Sequence, residues 1–185
     1  MSFINYVTQI QIDFGAISLL KAECERVGIS RPLIVTDAGV KAVGILDKAL
    51  AALPGLQVSV FDQTPSNPTE AAVRAAAAVY KQNNCDGLIA LGGGSSIDCA
   101  KGVSIAATHE GPLKTYATIE GGSLKITDRV APLIAVPTTA VPAPRWRVAR
   151  SSSSTMAASW VFTAGSSCPK PPFATPNSRW ACRPC

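Results

Sequence analysis

One stretch, GLIALGGGSSIDCAK at residues 87–101, constrains the fold of this chain most strongly. Its first five residues are typical of a buried strand, and three glycines follow them. Ser95 and Ser96 then open a helical pattern, where their hydroxyls can cap the helix. Glycine lets a phosphate approach the backbone closely, and the amides and dipole at a helix start attract it. The stretch therefore predicts a phosphate-binding turn, the alternative being a glycine turn that serves topology only.

The glycine spacing separates this turn from two common phosphate motifs. It does not fit G-x-G-x-x-G, and a P-loop would need Gly-Lys-Ser/Thr at its end. The turn thus indicates a phosphate-bearing ligand without identifying it.

Strands and helices alternate through the first 140 residues. Runs rich in β-branched residues predict strands at Leu33–Thr36, Gln57–Phe61, Gly87–Leu91 and Leu133–Val136. Helical patterns cover about Ser18–Val27, Val40–Ala52, Thr69–Gln82 and Ser95–Thr108. The alternation predicts an α/β fold, namely a Rossmann-like parallel sheet with helices on both faces. In such sheets ligands bind beyond the carboxyl ends of the strands.

Polar residues follow three of these strands. Asp37 comes directly after the first, where a carboxylate can bind both ribose hydroxyls of an adenosine and repel a 2′-phosphate. That role favours NAD over NADP, but a helix-capping aspartate fits the local sequence equally well. Asn67 and Thr69 lie in a proline-flanked loop that either faces a ligand or, as we favour, shapes a surface turn. Thr138 and Thr139 end the last strand, where their hydroxyls can reach ribose or nicotinamide.

The chain divides near residue 140 by charge. Residues 1–140 carry 11 basic and 12 acidic side chains, whereas residues 141–185 carry six and none. The segment 141–185 also holds all three tryptophans and has no regular apolar period. We predict a dinucleotide-binding α/β domain at 1–140 and an irregular, disordered tail at 141–185. Nothing places the basic side chains of the tail on a folded surface, so no nucleic-acid partner is expected.

Composition limits the other classes of function. No run approaches the ~18 apolar residues of a membrane span, and the N-terminus lacks a signal-peptide pattern, so we expect a cytoplasmic protein without membrane contact. Six cysteines form no convincing disulfide framework, and Cys182-x-x-Cys185 has no second pair to complete a metal site. His109, the single histidine, fits a helix end better than catalysis. We predict no catalytic and no metal-binding residue.

Five motifs occur in the order and spacing of the iron-containing (group III) alcohol dehydrogenases. They are Phe14-Gly15-Ala16, Val35-Thr36-Asp37, Pro65–Thr69, Gly92–Lys101 and Pro132–Ala140. The chain resembles the N-terminal, NAD(P)-binding part of that family over about residues 5–140. The resemblance implies a cofactor site made of Asp37 at the adenosine ribose, Gly93, Gly94 and Ser95 at the pyrophosphate, Thr138 and Thr139 at the nicotinamide side, and also Asn67 and Asp98.

After Ala140 the chain departs from the family pattern. The family continues with Gly-Thr-Gly-Ser-Glu and a helical domain whose aspartate and three histidines bind Fe²⁺, whereas Val141-Pro142 follows here. We interpret the tail as an out-of-frame product, because codons for Met156–Pro184 can be chosen so that a one-nucleotide shift gives a family-like sequence. A genuine disordered linker is the alternative. The expected consequence is a truncated, inactive fragment that lacks the iron ligands and the helical metal-binding domain.

The resemblance also implies an activity for the full-length family, the NAD-dependent oxidation of an alcohol to an aldehyde or ketone. Its partners are a small alcohol or aldehyde and further copies in a homo-oligomer. Two alternatives remain for this chain: a non-enzymatic NAD-binding module, or the remnant of a glycerol dehydrogenase or dehydroquinate synthase-like enzyme. The Pro-Thr-Thr-Ala block at 137–140 favours the alcohol dehydrogenase branch.

Overall fold

The computed structural model describes residues 10–116, 122–127, 129–138 and 159–163. In these residues six strands form one sheet: β1 Ile10–Asp13, β2 Pro32–Val35, β3 Ser59–Phe61, β4 Gly87–Gly92, β5 Leu133–Pro137 and β6 Ser159–Thr163. The α-helices are α1 Leu20–Val27, α2 Ala38–Ala42, α3 Ile45–Ala51, α4 Glu70–Gln82 and α5 Gly94–Thr108. Short 3₁₀ helices span Ala16–Leu19, Leu113–Tyr116 and Gly122–Lys125. All strand pairs are parallel, in the order β1-β6-β5-β4-β2-β3.

Two apolar clusters cover the two faces of the sheet. Successive residues of β2 alternate between them, because side chains of a strand point to opposite faces. Leu33 and Val35 pack with α4 and α5, while Ile34 packs with α1, α2 and α3. Each strand with helices on both faces is therefore a continuous apolar run. The predicted α/β class, with a parallel sheet and helices on both faces, is confirmed.

The helix that follows the glycine turn is held tightly against its neighbour. A Cβ at Gly102 in α5 would lie 2.9 Å from a methyl of Val73 in α4, so glycine permits this close approach. Thr69 caps α4 as its sequence position predicts, its Oγ1 accepting from the Ala72 amide at 3.3 Å. The two helices thus fix the loop before α4 beside the start of α5.

Two predicted helices differ in detail. The stretch predicted as one helix, Val40–Ala52, is divided into α2 and α3 at Gly44, which has φ of 74°. That left-handed conformation ends a helix, and glycine adopts it without the strain of a Cβ. The stretch predicted at Ser18–Val27 begins as a 3₁₀ turn and becomes α-helical only at Leu20. Strand β1 has no counterpart among the predicted strands.

The tail contributes one strand to the sheet. β6 lies between β1 and β5, with Trp160 opposite both Ile10 and Ala135. Ser159–Thr163 therefore differ from the irregular tail expected over 141–185. The physical reason is that Trp, Val, Phe and Thr favour strands, and β1 and β5 offer backbone partners on both sides. The rest of 141–185, with Cys182 and Cys185, lies outside the described residues.

Among the residues that the structure describes, none of the helices combines the length and the apolar character that a membrane crossing requires.

Candidate nucleotide site

An open cleft of about 620 Å³ lies where β2, β3, β4 and β5 end. Four of the predicted cofactor residues line it: Asp37, Gly93, Ser95 and Thr138. The rest of the lining comes from the loop after β3 and from α2, α3 and the turn between them, with Thr64, Pro65, Ser66, Ala38, Gly39, Val40, Val43 and Ile45. Residues from four strand ends thus meet at one edge of the sheet, as a parallel α/β fold requires of a ligand site.

Asp37 is fixed by hydrogen bonds to both of its carboxylate oxygens. Oδ1 accepts from the Val40 amide at 3.0 Å and so caps α2. Oδ2 accepts from the Ser96 hydroxyl at 3.1 Å, which links α2 to the start of α5. Each carboxylate oxygen can accept more than one hydrogen bond. The helix-capping alternative for Asp37 is therefore present, and the carboxylate keeps acceptor capacity toward the cleft.

The start of α5 presents its amides to the cleft without a serine cap. Gly93 is the N-cap residue, in extended conformation, and has no capping side chain. The predicted capping by Ser95 and Ser96 is wrong, because both serines lie inside the first helical turn. Ser95 donates to the Ser66 carbonyl and Ser96 to Asp37. First-turn amides have no partner within a helix, so they remain suited to an anion.

The glycines of the turn serve different purposes. Gly92 has φ of 147°, and a Cβ there would lie 2.5 Å from Ser96 Oγ and 3.2 Å from Asp37 Oδ2. A Cβ on Gly94 would meet no protein atom within 4 Å. Gly92 therefore permits packing inside the protein, whereas Gly94 leaves open space at the exposed start of α5. Sequence reasoning missed Gly92 and Ser96, because three adjacent glycines do not reveal which one is packed.

The end of β5 is joined to the glycine turn through its backbone. The Thr138 amide donates to the Gly92 carbonyl at 3.0 Å. Thr139 lies outside the described residues. Asn67 and Asp98 are both exposed and do not line the cleft, and Asp98 lies 3.5 Å from the Lys101 ammonium. The structure thus brings Thr138 to the cleft but leaves Asn67 and Asp98 outside its lining.

An apolar wall lines the cleft beside Asp37. It consists of Val40, Val43 and Ile45, and Val43 is 68% exposed. An exposed apolar side chain in a cleft offers a surface for a flat, apolar ligand group. The sequence did not indicate this wall, because it predicted one continuous helix over Val40–Ala52, whereas α2 ends at Ala42 and Gly44 separates it from α3.

An ion pair joins α2 to the loop after β3, close to this wall. Lys41 Nζ lies 2.5 Å from Asp62 Oδ2. This hydrogen bond raises the pKa of Lys41 and lowers the pKa of Asp62 from their ordinary values. The pair therefore stays charged at neutral pH and holds the two segments together.

His109 lies at the end of α5, where the sequence places it, and not in the cleft. Its Nε2 accepts from the Thr127 amide at 3.0 Å, and its Nδ1 lies 2.8 Å from Thr108 Oγ1. Tyr116 packs edge-on against the imidazole at 5.3 Å. The imidazole thus joins the helix end to the segment at 122–127, which supports the structural interpretation of this histidine.

Within the described ranges, no three His, Cys, Asp or Glu side chains are grouped as metal ligands would be. This part of the chain therefore does not fit an iron ion, and we assign no step of a reaction to a metal here. Cys24, Cys85 and Cys99 are buried free thiols. Burial raises the pKa of Cys24 to about 12, helped by the nearby Asp86, so the thiol stays protonated and unreactive at neutral pH.

Comparison with known proteins adds evidence from outside the chain. The sequence pattern of the family described as iron-containing alcohol dehydrogenase matches residues 8–148. A 4-hydroxybutyrate dehydrogenase of Cupriavidus necator is 69% identical over 139 residues, which cover 75% of this chain and 36% of that protein. This chain thus spans little more than a third of the length of that relative.

Solved structures show the same fold. A crystal structure of 1,3-propanediol oxidoreductase aligns with a TM-score of 0.71 and 32% identity, covering 85% of this chain and 44% of the other. An NADH-dependent butanol dehydrogenase A of Thermotoga maritima aligns with a TM-score of 0.63 and 25% identity, covering 74% and 34%. Together with the family match over most of the described residues, these likenesses show that the chain belongs to the iron-containing alcohol dehydrogenase family.

Proposed function

We propose that the cleft binds NAD, as the cofactor site of an enzyme that oxidises an alcohol to an aldehyde or ketone. One observation carries the proposal: a fixed carboxylate and an uncapped helix start face the same cleft at the carboxyl edge of a parallel sheet. The NADH-dependent relative of the same fold supports the choice of cofactor.

Each part of the cleft suits a different part of the cofactor. The amides at the start of α5, with the open space at Gly94, suit the pyrophosphate. Asp37 suits the adenosine ribose, since its oxygens are held in place and can accept from hydroxyls. The apolar wall at Val43 suits the adenine ring. Thr138, and with it Thr139, would lie on the nicotinamide side.

The chemistry of the reaction belongs to the cofactor, which when bound can accept a hydride from the alcohol carbon. The described residues of this chain bind and orient it. We propose a small alcohol or aldehyde as the substrate, since similar proteins are named as a 4-hydroxybutyrate dehydrogenase and a 1,3-propanediol oxidoreductase.

Calorimetric titration of the 185-residue chain with NADH and NADPH tests this proposal. We expect NADH to bind more tightly, because the Asp37 carboxylate repels a 2′-phosphate. Asp37→Gly should narrow that preference by about tenfold, since one charge repulsion at close range contributes on the order of 1–2 kcal/mol. Asp47→Asn, which removes a charge outside the cleft lining, is the matched control and should change neither affinity. Equal affinity for both cofactors in the unmodified chain would contradict the role of Asp37.

We further propose that the protein forms a homo-oligomer. Ile12 and Phe14, in and after β1 at the sheet edge, are 73% and 85% exposed. Apolar side chains on an edge strand favour association with another chain. Ile12→Thr should lower the mass measured by light scattering after gel filtration, and an unmodified chain that stays monomeric at high concentration would argue against the assembly.

A further inference from the structure

We infer that Ser96 is a positioning residue that sets the preference for NAD over NADP by holding the Asp37 carboxylate. The inference rests on the proposed function, because it concerns the same cleft. Ser96 is fully buried, and its hydroxyl donates to Asp37 Oδ2 at 3.1 Å. It therefore acts on the ligand only through Asp37.

The two hydrogen bonds of Asp37 restrain its carboxylate in rotation. The Val40 amide holds Oδ1 and the Ser96 hydroxyl holds Oδ2, and the two donors come from different helices. Donors on both oxygens oppose rotation about the Cβ–Cγ bond. The carboxylate then presents a fixed direction to a ribose, so less conformational entropy is lost on binding.

The surroundings of Ser96 direct its single proton toward Asp37. Ser96 lies in the first turn of α5, whose N-cap is Gly93, so the carbonyl four residues earlier, that of Gly92, lies outside the helix. That carbonyl accepts from the Thr138 amide at 3.0 Å. The absence of a side chain on Gly92 also makes room, because a Cβ there would lie 2.5 Å from Ser96 Oγ. The contact between Ser96 and Asp37 is thus built into the glycine turn.

Ser96→Ala in the full 185-residue chain tests this role by the ratio of two affinities. We expect the Kd for NADH to rise about tenfold, as for loss of a hydrogen bond to a charged group. The Kd for NADPH should change less than about twofold, because a 2′-phosphate gains nothing from an oriented carboxylate. Ser104→Ala is the matched control: this buried serine of α5 donates to the Lys101 carbonyl, so its loss should leave the ratio unchanged.

Two further variants separate positioning from structural support. In an Asp37→Asn background the effect of Ser96→Ala on the ratio should disappear, because no carboxylate remains to be oriented. Ser96→Cys keeps a weaker donor and should give an intermediate ratio. Equal losses of affinity for NADH and NADPH would overturn the inference. This includes equal losses in a variant that circular dichroism shows to be unfolded. An unchanged ratio would overturn it as well.

The outcomes also separate this inference from the proposed function. An unmodified chain that prefers NADH, with a Ser96→Ala variant that keeps the full preference, contradicts only the role of Ser96. An unmodified chain that binds neither cofactor overturns the proposed function and this inference with it.

Discussion

The two sides of the cleft are specified to different degrees. On the side of β2 and β4, Asp37, Gly92 and Ser96 pack together. The Ser96 hydroxyl donates to the Asp37 carboxylate, and Gly92, which has no side chain, leaves room for both. On the side of β5, Thr138 contributes one contact in the described part of the chain, from its backbone amide to Gly92. In the proposed function, the packed side would bind the adenosine and pyrophosphate half of the cofactor. We therefore expect most of the chain's affinity for NAD to come from that half.

The largest effect should follow from filling the space at Gly92. Gly92→Ala places a Cβ 2.5 Å from Ser96 Oγ at a φ of 147°. Strain of this kind costs of order 1–3 kcal/mol, so the free energy of unfolding in urea should fall by about that amount. NADH binding should also be lost, since Ser96 and Asp37 must move apart. If Gly92→Ala kept both stability and affinity, the packed side of the cleft would not be constrained as the structure indicates.

Gly94→Val provides the contrast at the exposed glycine that opens α5 and lies between the cleft residues Gly93 and Ser95. A Cβ at Gly94 meets no protein atom within 4 Å, so the free energy of unfolding should change by less than about 1 kcal/mol, and the higher helix propensity of valine favours the variant. The added side chain would occupy the proposed pyrophosphate path, and the Kd for NADH should rise at least about tenfold, or about 1.4 kcal/mol. Fluorescence titration and urea unfolding of the same preparation measure both. Tight NADH binding by Gly94→Val would remove this helix start from the site.

The sequence predicted the packed core well and the contacts between distant residues poorly. Continuous apolar runs marked β2, β4 and β5 to within a residue or two, because strands buried on both faces leave little ambiguity. β1 and β6 were missed: β1 is a short, largely exposed edge strand, and β6 becomes a strand through its pairing with β1 and β5.

For the predicted site too, the residues at strand ends were predicted and the contacts between distant residues were not. Asp37, Gly93, Ser95 and Thr138 reached the cleft because each follows or ends a strand, which fixes its position at the carboxyl edge. The partners of the serine hydroxyls could not be predicted locally. Ser95 bonds a carbonyl 29 residues away, and Ser96 bonds a carboxylate 59 residues away. Such pairs depend on the relative position of helices, which no local pattern records.

A smaller effect, on the free energy of unfolding, should follow from replacing Thr36, the residue before Asp37. Its Oγ1 is fully buried and has no hydrogen-bond partner in the described part of the structure. Thr36→Val keeps the shape and removes the unpaired hydroxyl, so the free energy of unfolding should rise by roughly 0.5–1 kcal/mol. Thr108→Val is the matched contrast, because that hydroxyl donates to the Ser104 carbonyl at 2.8 Å and its loss should destabilise. Equal destabilisation by both variants would show that the Thr36 hydroxyl is paired in solution.

The smallest effect should be the change in affinity when the ligand lacks the nicotinamide. ADP-ribose contains the adenine, both riboses and the pyrophosphate of NAD, so it can occupy every part of the packed side and the α5 start. On the β5 side, the described contact of Thr138 is made by its backbone amide to Gly92. We therefore expect the Kd values of ADP-ribose and NAD to differ by less than about threefold, or roughly 0.6 kcal/mol. Thr138→Ala should change either affinity by a similar or smaller factor. Competition of both ligands against bound NADH measures the difference directly. An affinity for NAD more than about tenfold above that for ADP-ribose would show that the nicotinamide side is specified as fully as the adenosine side, and the contrast between the two sides would not hold.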